Sequence, residues 1–180
     1  MIRLLVIGAM GAGKTTLSKR IEKLTGAKAH HQDCYFYGLH FKSQPLENWK
    51  DKVSSIATPS GSWVIDGNYF DAFEEKLLNA TDLVYLDLSS SICIQRALSR
   101  TLRNFCKFKT DSGLSEKVNL SFIINIFTYR SRRGEEFENA FQLAIADGKH
   151  VHRLTSQSEL EAFVYKLTQT DPQTSKLPER

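Results

Sequence analysis

The run Gly8-Ala9-Met10-Gly11-Ala12-Gly13-Lys14-Thr15 constrains this chain more than any other feature. It follows a continuous apolar stretch, Ile2 to Ile7, and precedes Leu17, Ile21 and Leu24 at helical spacing. A strand that turns through glycines into a helix can aim successive N–H groups inward, because glycine tolerates the backbone angles this needs. The helix start adds the positive end of its dipole. Such a loop holds an anion with several oxygens, and the spacing G-x-x-x-x-G-K-[ST] is that of a triphosphate cradle. Lys14 is then expected at the outer phosphates and the Thr15 hydroxyl at Mg²⁺. Gly8, Gly11, Ala12, Gly13, Lys14, Thr15 and the adjoining Thr16 form the expected nucleotide-binding set.

The rest of the chain alternates two patterns. Lys28–Asp33, Trp63–Asp66, Leu83–Asp87 and Val151–Leu154 read as further strands. Leu46–Ala57, Phe70–Leu78, Ser90–Phe105, Val118–Ala146 and Glu159–Leu167 have helical spacing. Alternation of this kind implies right-handed crossovers and a parallel sheet with helices on both faces, a three-layer α/β fold. Its 180 residues suit one core, which we place at 1–168. Gly134 predicts an interruption of the long fifth helical pattern near Arg130–Gly134. Residues 169–180, polar with two prolines, read as a disordered tail.

Composition narrows the partners. No apolar run approaches the ~20 residues that cross a bilayer. Three cysteines without a C-x-x-C pair suggest neither disulfides nor a zinc site, so the expected compartment is the reducing cytoplasm. Between Arg96 and Arg133 there are nine Lys or Arg against two acids, whereas the remainder carries 15 basic and 18 acidic residues. Charge concentrated in one segment suits a clamp on a phosphate-bearing ligand, or else a solvated basic face. It argues against a general nucleic-acid binder, whose basic charge spreads over a surface. The expected partners are ATP and a small-molecule acceptor, bound by a monomer or a homodimer.

Ligands of open parallel sheets bind outside the carboxyl ends of the strands. Asp33, Asp66 and Asp87 fall at such ends in this reading. Asp66 suits a Mg²⁺ ligand beside Thr15, or an acid opening the turn at Gly67. Asp87 either orients waters on the ion or precedes a helix cap at Ser89/Ser90. Asp33 is the candidate catalytic carboxylate, oriented to take a proton from an acceptor hydroxyl. The aromatic run around it, including Tyr35, Tyr37 and Phe41, either lines a pocket for a planar ring or packs as core. The pairs His30/His31 and His150/His152 lack partner ligands and read as structural.

Arg96, Arg100 and Arg103 share a helix face, and Arg130, Arg132 and Arg133 recur about one helix later. Arginines flanking a polar segment fit a closing lid, placed at about 103–133, whose guanidinium groups meet charge developing on the transferred phosphoryl group.

Together these segments resemble the P-loop kinase superfamily of nucleoside and nucleotide kinases over 1–168. Trp63-Val64-Ile65-Asp66-Gly67-Asn68-Tyr69 resembles the signature of the adenylate-kinase-related DNA topology modulation (FlaR-like) proteins. His31-Gln32-Asp33-Cys34-Tyr35-Phe36 is similar to the H-Q-D-D-F-F stretch of nicotinamide riboside kinases, whose first Asp serves a ribose hydroxyl. The resemblance implies a five-stranded sheet of order 2-3-1-4-5 with a helical lid, and ATP as donor with Mg²⁺ as cofactor. It implies Arg96, Arg100 and Arg153 on the donor nucleotide, with Lys14, Asp33 and Arg100 catalytic. Asp33, Tyr35, Asp66, Asn68, Arg130 and Arg133 are the expected acceptor-side set. The function so implied is transfer of the γ-phosphoryl group to a nucleoside- or nucleotide-like acceptor. The alternatives are a regulatory ATPase acting on DNA topology or a protein partner, and a nucleotide-binding module without an acceptor.

Overall fold

A computed structural model describes residues 1–36, 46–106 and 120–170, without the side chains of 36, 46, 101–106, 120–122, 130 and 170. Five strands form one sheet: β1 (Arg3–Gly8), β2 (Lys28–His31), β3 (Trp63–Asp66), β4 (Asp82–Leu86) and β5 (His150–Leu154). Their order is β2-β3-β1-β4-β5 and every neighbouring pair is parallel. The central strand β1 is apolar along its length because both of its faces are covered.

The helices fall on the faces that right-handed crossovers demand. From β1 the chain moves toward the β2 edge, and α1 (Lys14–Thr25) packs Leu17 and Ile21 on one face, against Leu4 and Val6. The crossovers that leave β2 and β3 run the other way and use the other face. There α3 (Leu46–Ile56) ends near Ala57, and α4 (Phe73–Asn79), entered through a 3₁₀ turn at Phe70–Ala72, brings Phe73 and Leu77 against Leu5 and Ile7. The short α2 (Gln32–Phe36) follows β2 directly. Two helices, α5 (Ser90–Cys106) and α6 (Leu120–Ala146), link β4 to β5, and α7 (Gln157–Thr170) returns to the α1 face through Leu160 and Val164. Reversal of direction at β1 puts the crevice of the sheet at the carboxyl ends of β1, β3 and β4.

Three sequence expectations change. The helix interruption near Arg130–Gly134 does not occur, since α6 is continuous from Leu120 to Ala146. Tertiary packing overrides the glycine. Tyr129 and Phe137, two turns apart across Gly134, are both buried, and Phe137 stacks on Tyr85 with centroids 4.8 Å apart. Burying a ring of that size contributes about 2–3 kcal/mol, more than the ~1 kcal/mol a helical glycine costs. The second strand stops at His31 rather than Asp33, because the chain turns into α2 and sets Asp33 in its first turn. The last helix runs to Thr170, past the end of the helical pattern expected at Leu167. The expected tail beyond it, Tyr37 and Phe41, and the central part of the lid, 107–119, lie outside the described residues.

A methyl group at Gly134 meets no atom within 4 Å. Gly134→Ala is therefore expected to raise unfolding stability by about 0.5–1 kcal/mol through helix propensity. Urea denaturation checks this; a loss of stability would mean that α6 is broken there after all.

Candidate active site

The lip of the cradle is fastened by an amide. Asn68, two residues beyond β3, accepts from the Gly8 N–H at 3.0 Å and donates through Nδ2 to the Gly8 carbonyl at 2.6 Å. The same Nδ2 reaches the Tyr129 hydroxyl on α6 at 2.5 Å. One side chain thus joins the end of β1, the exit of β3 and a helix on the far side of the crevice. Behind the loop, α5 approaches so closely that a Cβ on Gly11, at φ +80°, would collide with the Cys93 carbonyl. Only glycine suits that place.

Lys14 opens α1 and folds back over the loop, donating to the carbonyls of Gly8 at 2.8 Å and Ala9 at 3.1 Å. Burial lowers its pKa, with Arg100 adding to the effect, while the charges of Asp33 and Asp66 oppose it. Lys14 thus lies within electrostatic reach of Asp33, Asp66 and Arg100. Thr15 and Thr16 lie exposed in the first turn of α1, where unpaired N–H groups and the dipole favour an anion.

Asp66 ends β3 with its carboxylate 5% exposed, and its Oδ2 accepts from His31 Nδ1 at 2.7 Å. That bond, against the opposing effect of burial, raises the His31 pKa. Asp33 is exposed, and its Oδ1 accepts from the Tyr69 hydroxyl at 2.8 Å. Tyr35 hydrogen-bonds His30 at 3.0 Å and carries the Lys52 ammonium 5.3 Å above its ring. Tyr35 and Tyr69 also pack on a small cluster of Trp49, Val53 and Ala72. The described aromatics around Asp33 are thus partly core and partly wall of the crevice.

The oxygen donors fit Mg²⁺. A hydroxyl from Thr15 and a carboxylate from Asp66 are hard ligands, and this ion keeps several waters beside one or two protein groups. Among the described residues no group of three or more His, Cys, Asp or Glu gathers to enclose a metal. Water and phosphate oxygens would complete the shell.

The arginines divide. Arg96 donates to the Ala12 carbonyl at 3.0 Å and to Gln157 Oε1 at 2.7 Å, tying α5 and α7 to the cradle. Arg100 is exposed one turn further along the same helix. Arg153 gives Nε and Nη2 to Asp87 Oδ2, at 2.9 and 2.8 Å, and lies over the Tyr85 ring. It therefore shares the α4/α6 face of the sheet with Val151 and Tyr85, while Leu154 faces α1 and α7. Gln157, in the same segment, reaches the cradle through Arg96. Asp87 is engaged by Arg153 and by the Tyr85 hydroxyl at 3.2 Å. Arg133 pairs with Glu136 at 2.8 Å and sits 5.8 Å above Phe70, beside Tyr129. Arg130 lies on α6, in the same helix.

Several site residues escaped the sequence reading. His31, expected to be structural, bonds the acid of β3, a contact that no local pattern announces. Tyr129 was hidden in a helix expected to break beside it. Lys76 interrupts the apolar face formed by Phe73 and Leu77, a charged residue at a core position, and that was its signal.

The five-stranded parallel fold recurs in solved structures. The chain is similar to shikimate kinase from Bacteroides thetaiotaomicron, at 18% identity over 93% of this chain and 96% of that one, with a TM-score of 0.59. The fold is that of the P-loop kinases. Shikimate kinase from Acinetobacter baumannii in complex with shikimate is similar at 15% identity, 97% and 94% coverage and TM-score 0.55. A sugar kinase from Janibacter sp. HTCC2649 is similar at 14% identity, 99% and 100% coverage and TM-score 0.52. No family model matches the sequence, and no curated protein does. The P-loop kinase fold is thus shown by structure, and nothing narrower within it. Among the described residues no helix is long and apolar enough to cross a membrane.

Asn68→Ala removes the amide that holds both polar groups of Gly8, with an expected loss of about 1–3 kcal/mol of stability. Denaturant unfolding measures it. Stability unchanged from the parent would show that the lip of the cradle holds its shape without this clamp.

Proposed function

We propose that the chain is an ATP-dependent small-molecule kinase that moves the γ-phosphoryl group of Mg·ATP onto a hydroxyl or phosphate of its acceptor. The observation that supports this reading is a second carboxylate, the exposed Asp33, which like Asp66 and Arg100 lies within electrostatic reach of Lys14. A protein that only bound a triphosphate would need the cradle and an ion ligand. Asp33 is extra, and its partner Tyr69 holds one carboxylate oxygen while the group stays open to solvent.

The roles follow from chemistry. The N–H groups of Gly11 to Thr16 receive the phosphates, and Arg96 keeps α5 and α7 against the outside of the cradle. Lys14, released from the carbonyls of Gly8 and Ala9, turns to the outer phosphates. Thr15 and Asp66 would hold Mg²⁺, which when bound would supply charge neutralisation on the phosphate oxygens. Lys14 and Arg100 meet the negative charge that spreads over the moving phosphoryl group. Asp33 orients the acceptor and takes the hydroxyl proton as the bond to phosphorus forms. Tyr35, Asn68, Arg130 and Arg133 border the acceptor side, and Arg153 steadies Asp87 at the end of β4. The acceptor class is nucleoside- or nucleotide-like on the strength of the His31–Phe36 and Trp63–Tyr69 resemblances. The kinases that share the fold act in support of the reaction class. Action in the cytoplasm, as a monomer or homodimer, belongs to the same proposal.

The test is ADP release from Mg·ATP across nucleosides, nucleoside monophosphates and small alcohols. One compound should stimulate release, and Asp33→Asn should lower that rate by about 10²–10⁴-fold with ATP binding nearly intact. Lys14→Ala should lose both transfer and tight triphosphate binding. Slow hydrolysis with no response to any acceptor would refute transfer and favour a regulatory ATPase. Full transfer by Asp33→Asn would remove that residue from the mechanism.

A further inference from the structure

Lys76 is the most costly side chain in the core. It is 2% exposed on α4, and its ammonium rests 5.5 Å above the Phe73 ring. The hydrogen bonds recorded for it go to neutral oxygens, the Tyr69 carbonyl at 2.9 Å and Gln32 Oε1 at 3.2 Å. Burial brings its pKa down to about 7, and the carboxylates of Glu75 and Asp71 pull it back only in part. A lysine that only filled space here would be better replaced by methionine, because a buried cation without a bonded carboxylate destabilises the fold. The sign is definite: a lysine pKa lowered by folding costs stability fully below pH 7, and the cost fades as pH rises toward the ordinary value.

What Lys76 touches explains its presence. Gln32 immediately precedes Asp33 and opens α2. Its side chain also lies against Gly67, where a Cβ would come within 2.5 Å of Gln32 Oε1 at φ +142°. Gly67 immediately follows Asp66, and Tyr69, whose carbonyl Lys76 holds, gives its hydroxyl to Asp33. Lys76 therefore grips from below the two segments that carry the acceptor carboxylate and the ion-binding carboxylate. Cutting this grip frees α2 to turn on β2 and loosens the Tyr69 end of the 67–69 loop, while Asn68 still ties that loop to Gly8.

We propose that Lys76 is a positioning residue that sets Asp33 against Asp66 for phosphoryl transfer, acting through Gln32 and Tyr69. It touches neither substrate nor phosphate. The inference rests on the kinase reading for its functional consequence, and its structural half can be read separately.

The experiment compares the full chain with Lys76→Met by amide hydrogen exchange, Mg·ATP calorimetry and transfer kinetics. Exchange at 31–36 and 67–70 should speed up about tenfold or more, while β1 and β4 stay within about twofold. Mg·ATP affinity should hold within about twofold, and kcat for the acceptor should fall about 10- to 100-fold, as small misplacements of reacting groups do. A residue that merely stabilised the fold would shift exchange everywhere and lower ATP affinity along with kcat. Unchanged exchange at 31–36 and 67–70, or unchanged kcat in a protein that transfers, would overturn the proposal. If no acceptor responds at all, the kinase reading fails, and the exchange pattern still decides whether Lys76 holds the two segments. Should Lys76→Met fail to fold, Gln32→Leu cuts the same grip from its other end. That variant removes an amide whose buried Nε2 has no hydrogen-bond partner, so folding should survive. It should loosen 31–36 in the same way, and normal exchange there would count against the proposal.

Discussion

Everything at the crevice depends on how closely three backbones approach one another. Strand β1 has to end where β4 and α5 have already arrived, so Gly8 comes against Leu86 and Gly11 against the Cys93 carbonyl. Side chains larger than hydrogen would force these elements apart. Two carbonyls of the loop are held from its flanks, Gly8 by Asn68 and Ala12 by Arg96. An anion site made of backbone is rigid only when its surroundings fix it, and here those surroundings come from β3, α5 and α6 at once.

Charge is arranged on the same frame. Lys14 sits among opposed influences, burial and Arg100 against Asp33 and Asp66. Its bonds to the two loop carbonyls are a resting arrangement that phosphate oxygens would replace. Asp66 is held by an imidazole and Asp33 by a phenol, so the two carboxylates differ in partner and exposure. A buried acid paired with a base suits ion holding; an open acid with one oxygen bonded suits exchange of a proton with a ligand that comes and goes.

Much of this was legible in the sequence because it was local. Glycine spacing located the cradle, apolar runs located β1, β3 and β4, and Asp66 fell where the third strand ended. Non-local effects were not legible. Gly134 read as a break because its own propensity is poor, while Tyr129 and Phe137 hold α6 straight through contacts with Asn68 and Tyr85, far away in sequence. The pairing of Arg153 with Asp87 was equally out of sight, because it joins β5 to the residue after β4, and period-two alternation along β5 puts Val151 and Arg153 on one face. Lys76 was visible as a charge on an apolar helix face, but its two oxygen partners come from β2–α2 and from the exit of β3. No window of sequence contains all three.

The central claim is that Mg·ATP phosphates lie in the 8–16 cradle with the ion between Thr15 and Asp66. Amide NMR on the isotopically labelled chain, titrated with a non-hydrolysable ATP analogue with and without Mg²⁺, reads this most directly. The account predicts large downfield shifts of the Gly11, Gly13, Lys14 and Thr15 amides, and Mg²⁺-dependent shifts at Thr15 and Asp66. Saturable binding that leaves those amides in place and moves only the basic segment 96–133 would contradict it.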